Sequence, residues 1–70
     1  MKELIFLIED DPFVGFTAKG LGESIFTEAE NWEQLKENIN EAVKCHFDEN
    51  EMPNIIRLHY VKDEVIEVAS

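Results

Sequence analysis

Apolar residues come in short blocks separated by charged or turn-forming residues, and their spacing changes from block to block. Leu4, Ile5, Phe6, Leu7 and Ile8 run without interruption inside Lys2–Glu9. A run without alternation suits a strand covered on both faces. Asp10-Asp11-Pro12 should break it, because proline lacks an amide hydrogen and Asp side chains favour turns. Phe13–Ala18 reads as a second strand returning antiparallel beside the first, with Gly15 marking a bulge or a close approach. Lys19-Gly20-Leu21-Gly22 reads as a loop whose glycines tolerate positive φ. Glu23–Glu28, built on Ile25, Phe26 and Thr27, is predicted as a third strand.

The period then changes to that of a helix. Asn31 is a good N-cap, and Gln34 three residues on gives an Asn-x-x-Gln variant of the capping box. Glu33 in the first turn complements the helix dipole. The predicted helix runs from Trp32 to Phe47. Trp32, Leu35, Ile39, Ala42, Val43 and His46 fall within one stripe, which Phe47 borders. Glu33, Glu37 and Glu41 share the far side. Asp48–Asn54 is a polar connection punctuated by Pro53. Ile55–Val61 is a fourth strand, with Ile56, Leu58 and Tyr60 on one face and Arg57 and His59 on the other. Lys62-Asp63-Glu64 reads as a turn before a short fifth strand, Val65–Val68.

The plan is α+β, ordered β-β-β-α-β with an optional last strand, in two layers. Crossovers are short and right-handed, so the fourth strand should lie beside and parallel to the first, giving a sheet order of 3-2-1-4. One helix covers one sheet face. A second copy of the chain is the simplest cover for the other, with Phe26, Leu58 or Tyr60 meeting their symmetry mates. Sequence leaves open whether Ile5 and Leu7, or Leu4, Phe6 and Ile8, face the helix.

Seventy residues suffice for one small domain, and 44% apolar residues supply a core rather than a disordered chain. Six basic residues against sixteen acidic ones give a net charge of -10. Phosphate binding relies on Lys and Arg, so neither nucleic acid nor an anionic membrane is an expected partner. A basic protein is a better match. The lone Cys45 and the absence of a leader-like or spanning segment point to a cytoplasmic protein. Glu9-Asp10-Asp11 could attract a cation, but adjacent residues of an extended chain diverge, and a solvated hairpin tip is the plainer reading. Cys45, His46 and His59 are too few for a structural zinc site, and His46 is read as a packed, hydrogen-bonded histidine. Trp32 is read as packing on the sheet. No catalytic triad, metal constellation or phosphate-cradling loop is apparent, so neither catalysis, metal nor cofactor is expected.

Three strands followed by Trp32-Glu33-Gln34-Leu35-Lys36-Glu37-Asn38-Ile39-Asn40-Glu41-Ala42-Val43 resemble the HicB-like antitoxin family. Leu35, Asn38, Ile39, Glu41, Ala42 and Val43 stand at comparable places in its helix. The resemblance covers residues 3–61. It departs at Leu21-Gly22-Glu23-Ser24, where only Gly22 matches the family's turn before the third strand. It implies a partial ribonuclease-H-like fold that dimerises and neutralises a small basic toxin by direct binding. Residues 1–70 are then expected to be one such domain without the DNA-binding domain of full antitoxins. Under that reading Glu33, Glu37 and Glu41, with Glu9, Asp10 and Asp11, are the candidate partner-binding carboxylates. A stand-alone homodimeric adaptor is the second reading. A metal-dependent hydrolase using Glu or Asp with His59 is the third.

Overall fold

The apolar run of the first block forms β1 (Glu3–Asp11), which pairs antiparallel with β2 (Gly15–Gly20); β2 in turn pairs antiparallel with β3 (Phe26–Ala29). Helix α1 (Trp32–His46) and a 3-10 turn at Glu49–Glu51 lead to β4 (Ile55–Val61), parallel to β1. The computed structural model describes residues 2–62 and 65–69. Its sheet order is β3-β2-β1-β4, the expected one, with the apolar strand inside.

Register settles which side of β1 meets the helix. Leu4, Phe6 and Ile8 are buried, while Ile5 and Leu7 are half-buried on the opposite face. Phe6 aligns with Gly20 and Leu58, and Ile8 with Ala18 and Tyr60, so these residues share the helix side. The helix contributes Leu35, Ile39 and Val43, each fully or almost fully buried, and Ile25 and Ala29 close the core. Each large apolar side chain sequestered this way contributes about 1.5–3 kcal/mol before entropy is counted. No polar or charged residue is buried among the described residues.

Caps and turns set the element ends. Asn31 accepts a 2.8 Å hydrogen bond from the Gln34 amide, as an N-cap should. The reciprocal half of the capping box is replaced, because the Gln34 side chain instead donates to Asn38 Oδ1 at 2.9 Å. Asn38 Nδ2 donates to the Glu28 carbonyl at 3.0 Å, tying the helix to β3. Gly15 stands at φ +109°, and a Cβ there would lie 2.7 Å from the Glu30 carbonyl oxygen. The close approach expected at Gly15 is real, and no larger residue fits it.

Several expected boundaries need correction. β1 does not stop at Glu9: Asp10 and Asp11 stay in the ladder, opposite Phe16 and Gly15. The break falls at Pro12, and the Asp11 side chain shapes the turn by accepting from the amides of Phe13 (2.8 Å) and Val14 (3.2 Å). Phe13 is therefore a turn residue, 94% exposed, rather than the start of β2. β2 runs on to Gly20, where the loop expected at Lys19 was too early. β3 starts only at Phe26, because Ile25 turns its carbonyl to the Gly20 amide (2.9 Å) and its side chain into the core. The helix ends at His46, one residue early, and His46 is exposed rather than packed. Residues 65–69 form no strand. Most of the expected turn at Lys62-Asp63-Glu64 lies outside the described residues.

Ile39→Ala should lower unfolding free energy by roughly 2–5 kcal/mol, measured by urea denaturation, because a central core side chain is lost. Gly15→Ala should cost more than about 1 kcal/mol by the same assay, since positive φ and backbone contact oppose any Cβ there.

Candidate functional site

Helix periodicity that buries Leu35, Ile39 and Val43 turns the other side of α1 outward. Glu33, Glu37 and Glu41 are all exposed on it, as expected. Lys36 reaches Glu33 at 3.2 Å, with both side chains well exposed, a pair that contributes little. Glu37 and Glu41 stand one helical turn apart, and their like charges oppose one another mildly.

The other three candidate carboxylates do not form a cluster. Glu9 aligns with Thr17 and Val61 on the open face of the sheet. Asp10 lies on the helix side and accepts a 2.8 Å hydrogen bond from the Tyr60 hydroxyl. Asp11 is committed to its own turn. Strand alternation parts Asp10 from Glu9 and Asp11, and the Asp11 carboxylate is taken up by its own turn, so no joint Glu9-Asp10-Asp11 surface forms.

The residues expected at a dimer contact also divide between faces. Leu58 and Tyr60 point to the helix side; Phe26, 63% exposed, lies on the open face in register with Lys19. Tyr60 belongs to an aromatic group, with its ring 5.9 Å from Phe16 and 5.5 Å from Trp32, which itself stands edge-on to Phe16 at 5.6 Å. Trp32 does pack onto the sheet, as expected. The Asp10–Tyr60 contact was beyond sequence reading, since it depends on the parallel register of β1 with β4.

The open face carries Ile5 and Leu7 at its centre, flanked by Lys19, Arg57 and His59. Arg57 Nε donates to Glu3 Oε1 at 2.5 Å, and that bond with the carboxylate's charge pushes the guanidinium pKa up. Between α1 and β4 runs a groove of about 240 Å³, lined by Lys36, Ile39, Asn40, Ile56 and Leu58. A shallower depression beside β3 is lined by Ile25, Phe26, Ala42 and the exposed Cys45, where His46 Nε2 lies 3.1 Å from Glu23 Oε2. Among the described residues no three His, Cys, Asp or Glu side chains gather as a metal site, and no helix is long and apolar enough to cross a membrane.

Two relatives resemble the chain along most of its length. A UPF0150 protein of Thermotoga maritima is 42% identical over 67 residues, covering 96% of this chain and 94% of the relative. A UPF0150 protein of Archaeoglobus fulgidus is 50% identical over 52 residues, covering 74% of this chain and 77% of the relative. The chain belongs to the UPF0150 family. No family model and no solved structure matches it.

The hydrogen bond to Asp10, aided by burial and by the carboxylate's charge, raises the Tyr60 pKa above its ordinary 10.0. Tyr60 is the sole tyrosine, so tyrosinate absorbance reports it alone. The midpoint should lie above the ordinary value and fall toward it in Asp10→Asn. Because the folded-state pKa is raised, the stabilisation from this contact is full below the unfolded pKa. It is lost as pH rises through the folded one.

Proposed function

We propose that this UPF0150 chain is a non-enzymatic interaction module that holds a small basic protein on the outer face of α1. The observation that carries this reading is the exposed row Glu33, Glu37 and Glu41 on the side of the helix turned away from the core. The charge distribution supports it. Residues 1–30 hold two basic and seven acidic side chains, and residues 31–53 two and six. Residues 54–70 hold two and three, so the acidic field arises mainly from the hairpins and helix. Such a field steers a basic partner, and the partner, once bound, offsets the repulsion between the stacked glutamates. The β-β-β-α-β order and the helix pattern agree with a HicB-like antitoxin acting by direct binding to a basic toxin.

A stand-alone homodimeric adaptor is the alternative, favoured by the half-buried Ile5 and Leu7 on a sheet face that, among the described residues, no helix covers.

Tagged full-length chain should capture a small basic protein at low salt, identified by mass spectrometry. Raised salt and the triple reversal Glu33→Lys, Glu37→Lys, Glu41→Lys should each abolish that capture while the circular dichroism spectrum stays unchanged. Undiminished capture by the folded triple variant would reduce the helix face to a solubilising surface.

A further inference from the structure

Beyond β4 the chain carries Val65, Ile66, Glu67, Val68 and Ala69, all exposed. Val65, Ile66 and Val68 are 91%, 78% and 92% exposed, the largest exposure of apolar side chains outside Phe13. Their β-branched composition favours a strand. Yet they pair with nothing in their own sheet, and the molecule extends to 59 Å against 23 and 18 Å in its other dimensions. Exposed apolar surface of this kind marks a contact waiting to be covered.

The outer edge of β4 offers what such an arm needs. β4 is an edge strand of seven residues without proline, and among the described residues no strand pairs with its outward amides and carbonyls. β3, at the other edge, has four residues and is tied to the helix through Asn38. Ile56 and Leu58 are only half-buried and line the groove beneath Lys36 and Asn40. A strand added beside them would set its alternate side chains into that groove. Ile66 and Val68 have the two-residue spacing of Ile56 and Leu58.

We propose that two copies of the chain exchange these arms, residues 65–69 of each pairing antiparallel with β4 of the other. In the register Ile56 opposite Val68 and Leu58 opposite Ile66, apolar meets apolar in the groove. The same register sets Glu67 opposite Arg57 on the open face, beside the existing Arg57–Glu3 contact. A two-fold axis relates the two pairings, so each copy gives and receives one arm and the assembly closes as a dimer. This does not depend on the acidic helix face or on any basic partner.

Sedimentation equilibrium of the full chain at micromolar concentration should give twice the 8.1 kDa chain mass. Ile66→Asp with Val68→Asp should raise the dissociation constant by at least about tenfold, with the circular dichroism spectrum kept, because both side chains are largely exposed and outside the core. Glu67→Arg should weaken the dimer, and adding Arg57→Glu should restore it. In a Cys45→Ser background, Arg57→Cys with Glu67→Cys should give, on oxidation, a covalent dimer. A monomeric wild-type chain, or unaltered dimerisation of the double aspartate variant, would overturn the exchange. So would a disulfide within one chain, which reports an arm folded back on its own β4, a ladder of longer polymers, or no cross-link at all.

Discussion

Helix α1, packed on one face of the four-stranded sheet, makes the two sides of this sheet unlike, and most of the structure follows from that asymmetry. Core formation is confined to one layer, where Leu35, Ile39 and Val43 meet Leu4, Phe6 and Ile8. The helix packs chiefly over β3 and β2. The β4 side of the same face is left as a groove, with Ile56 and Leu58 half-covered. The aromatic group of Phe16, Trp32 and Tyr60 fills the far end of this layer, where the helix begins and β1 and β4 end. A chain of this size has little burial to spare, so the integrity of that one layer governs everything presented on its surface.

What was legible in the sequence was what local chemistry and chain topology dictate. The helix start follows from Asn31, and the sheet order follows from a right-handed crossover after a three-strand meander. β4 was placed with its true limits because Asn54 and Lys62 bracket an apolar run with strand period. The strand ends around the first hairpin were not legible, because tertiary partners override turn-forming residues there. Asp10 remains in β1 because β2 lies opposite it and the Tyr60 hydroxyl reaches its carboxylate. Phe13 looked like a strand residue by type, but Asp11 holds the following two amides and turns it into solvent. His46 shared the angle of the apolar stripe, yet it lies at the last helical position and meets Glu23 at the surface.

The candidate site was half legible for a related reason. Carboxylates at helical spacing keep a common face whatever else happens, so Glu33, Glu37 and Glu41 stayed together. Carboxylates in consecutive strand positions cannot, so Asp10 parted from Glu9 and Asp11, whose own carboxylate is taken up by its turn. The same alternation moved Leu58 and Tyr60 under the helix side and left Phe26 on the other. A strand in this fold can present a surface only through every second residue. The helix thus offers its three like charges on one face at successive turns, all of them exposed.

The two surfaces sit so that use of one leaves the other free. β4 is at the edge opposite β3, and α1 leans toward β3. A dimer closed through β4 would therefore carry both acidic helix faces outward, on opposite flanks. Its combined charge would be twice -10, strengthening the attraction felt by a basic protein before contact. The two faces would also lie on one particle, so that a partner that is itself dimeric could engage both. The second contact would then form at a raised effective concentration rather than from free solution. Under this arrangement the arm, seated in the groove on the β4 side of α1 rather than on its outer face, would set partner affinity without touching the partner. Loss of the arm contacts would weaken capture of a dimeric basic protein far more than capture of a monomeric one.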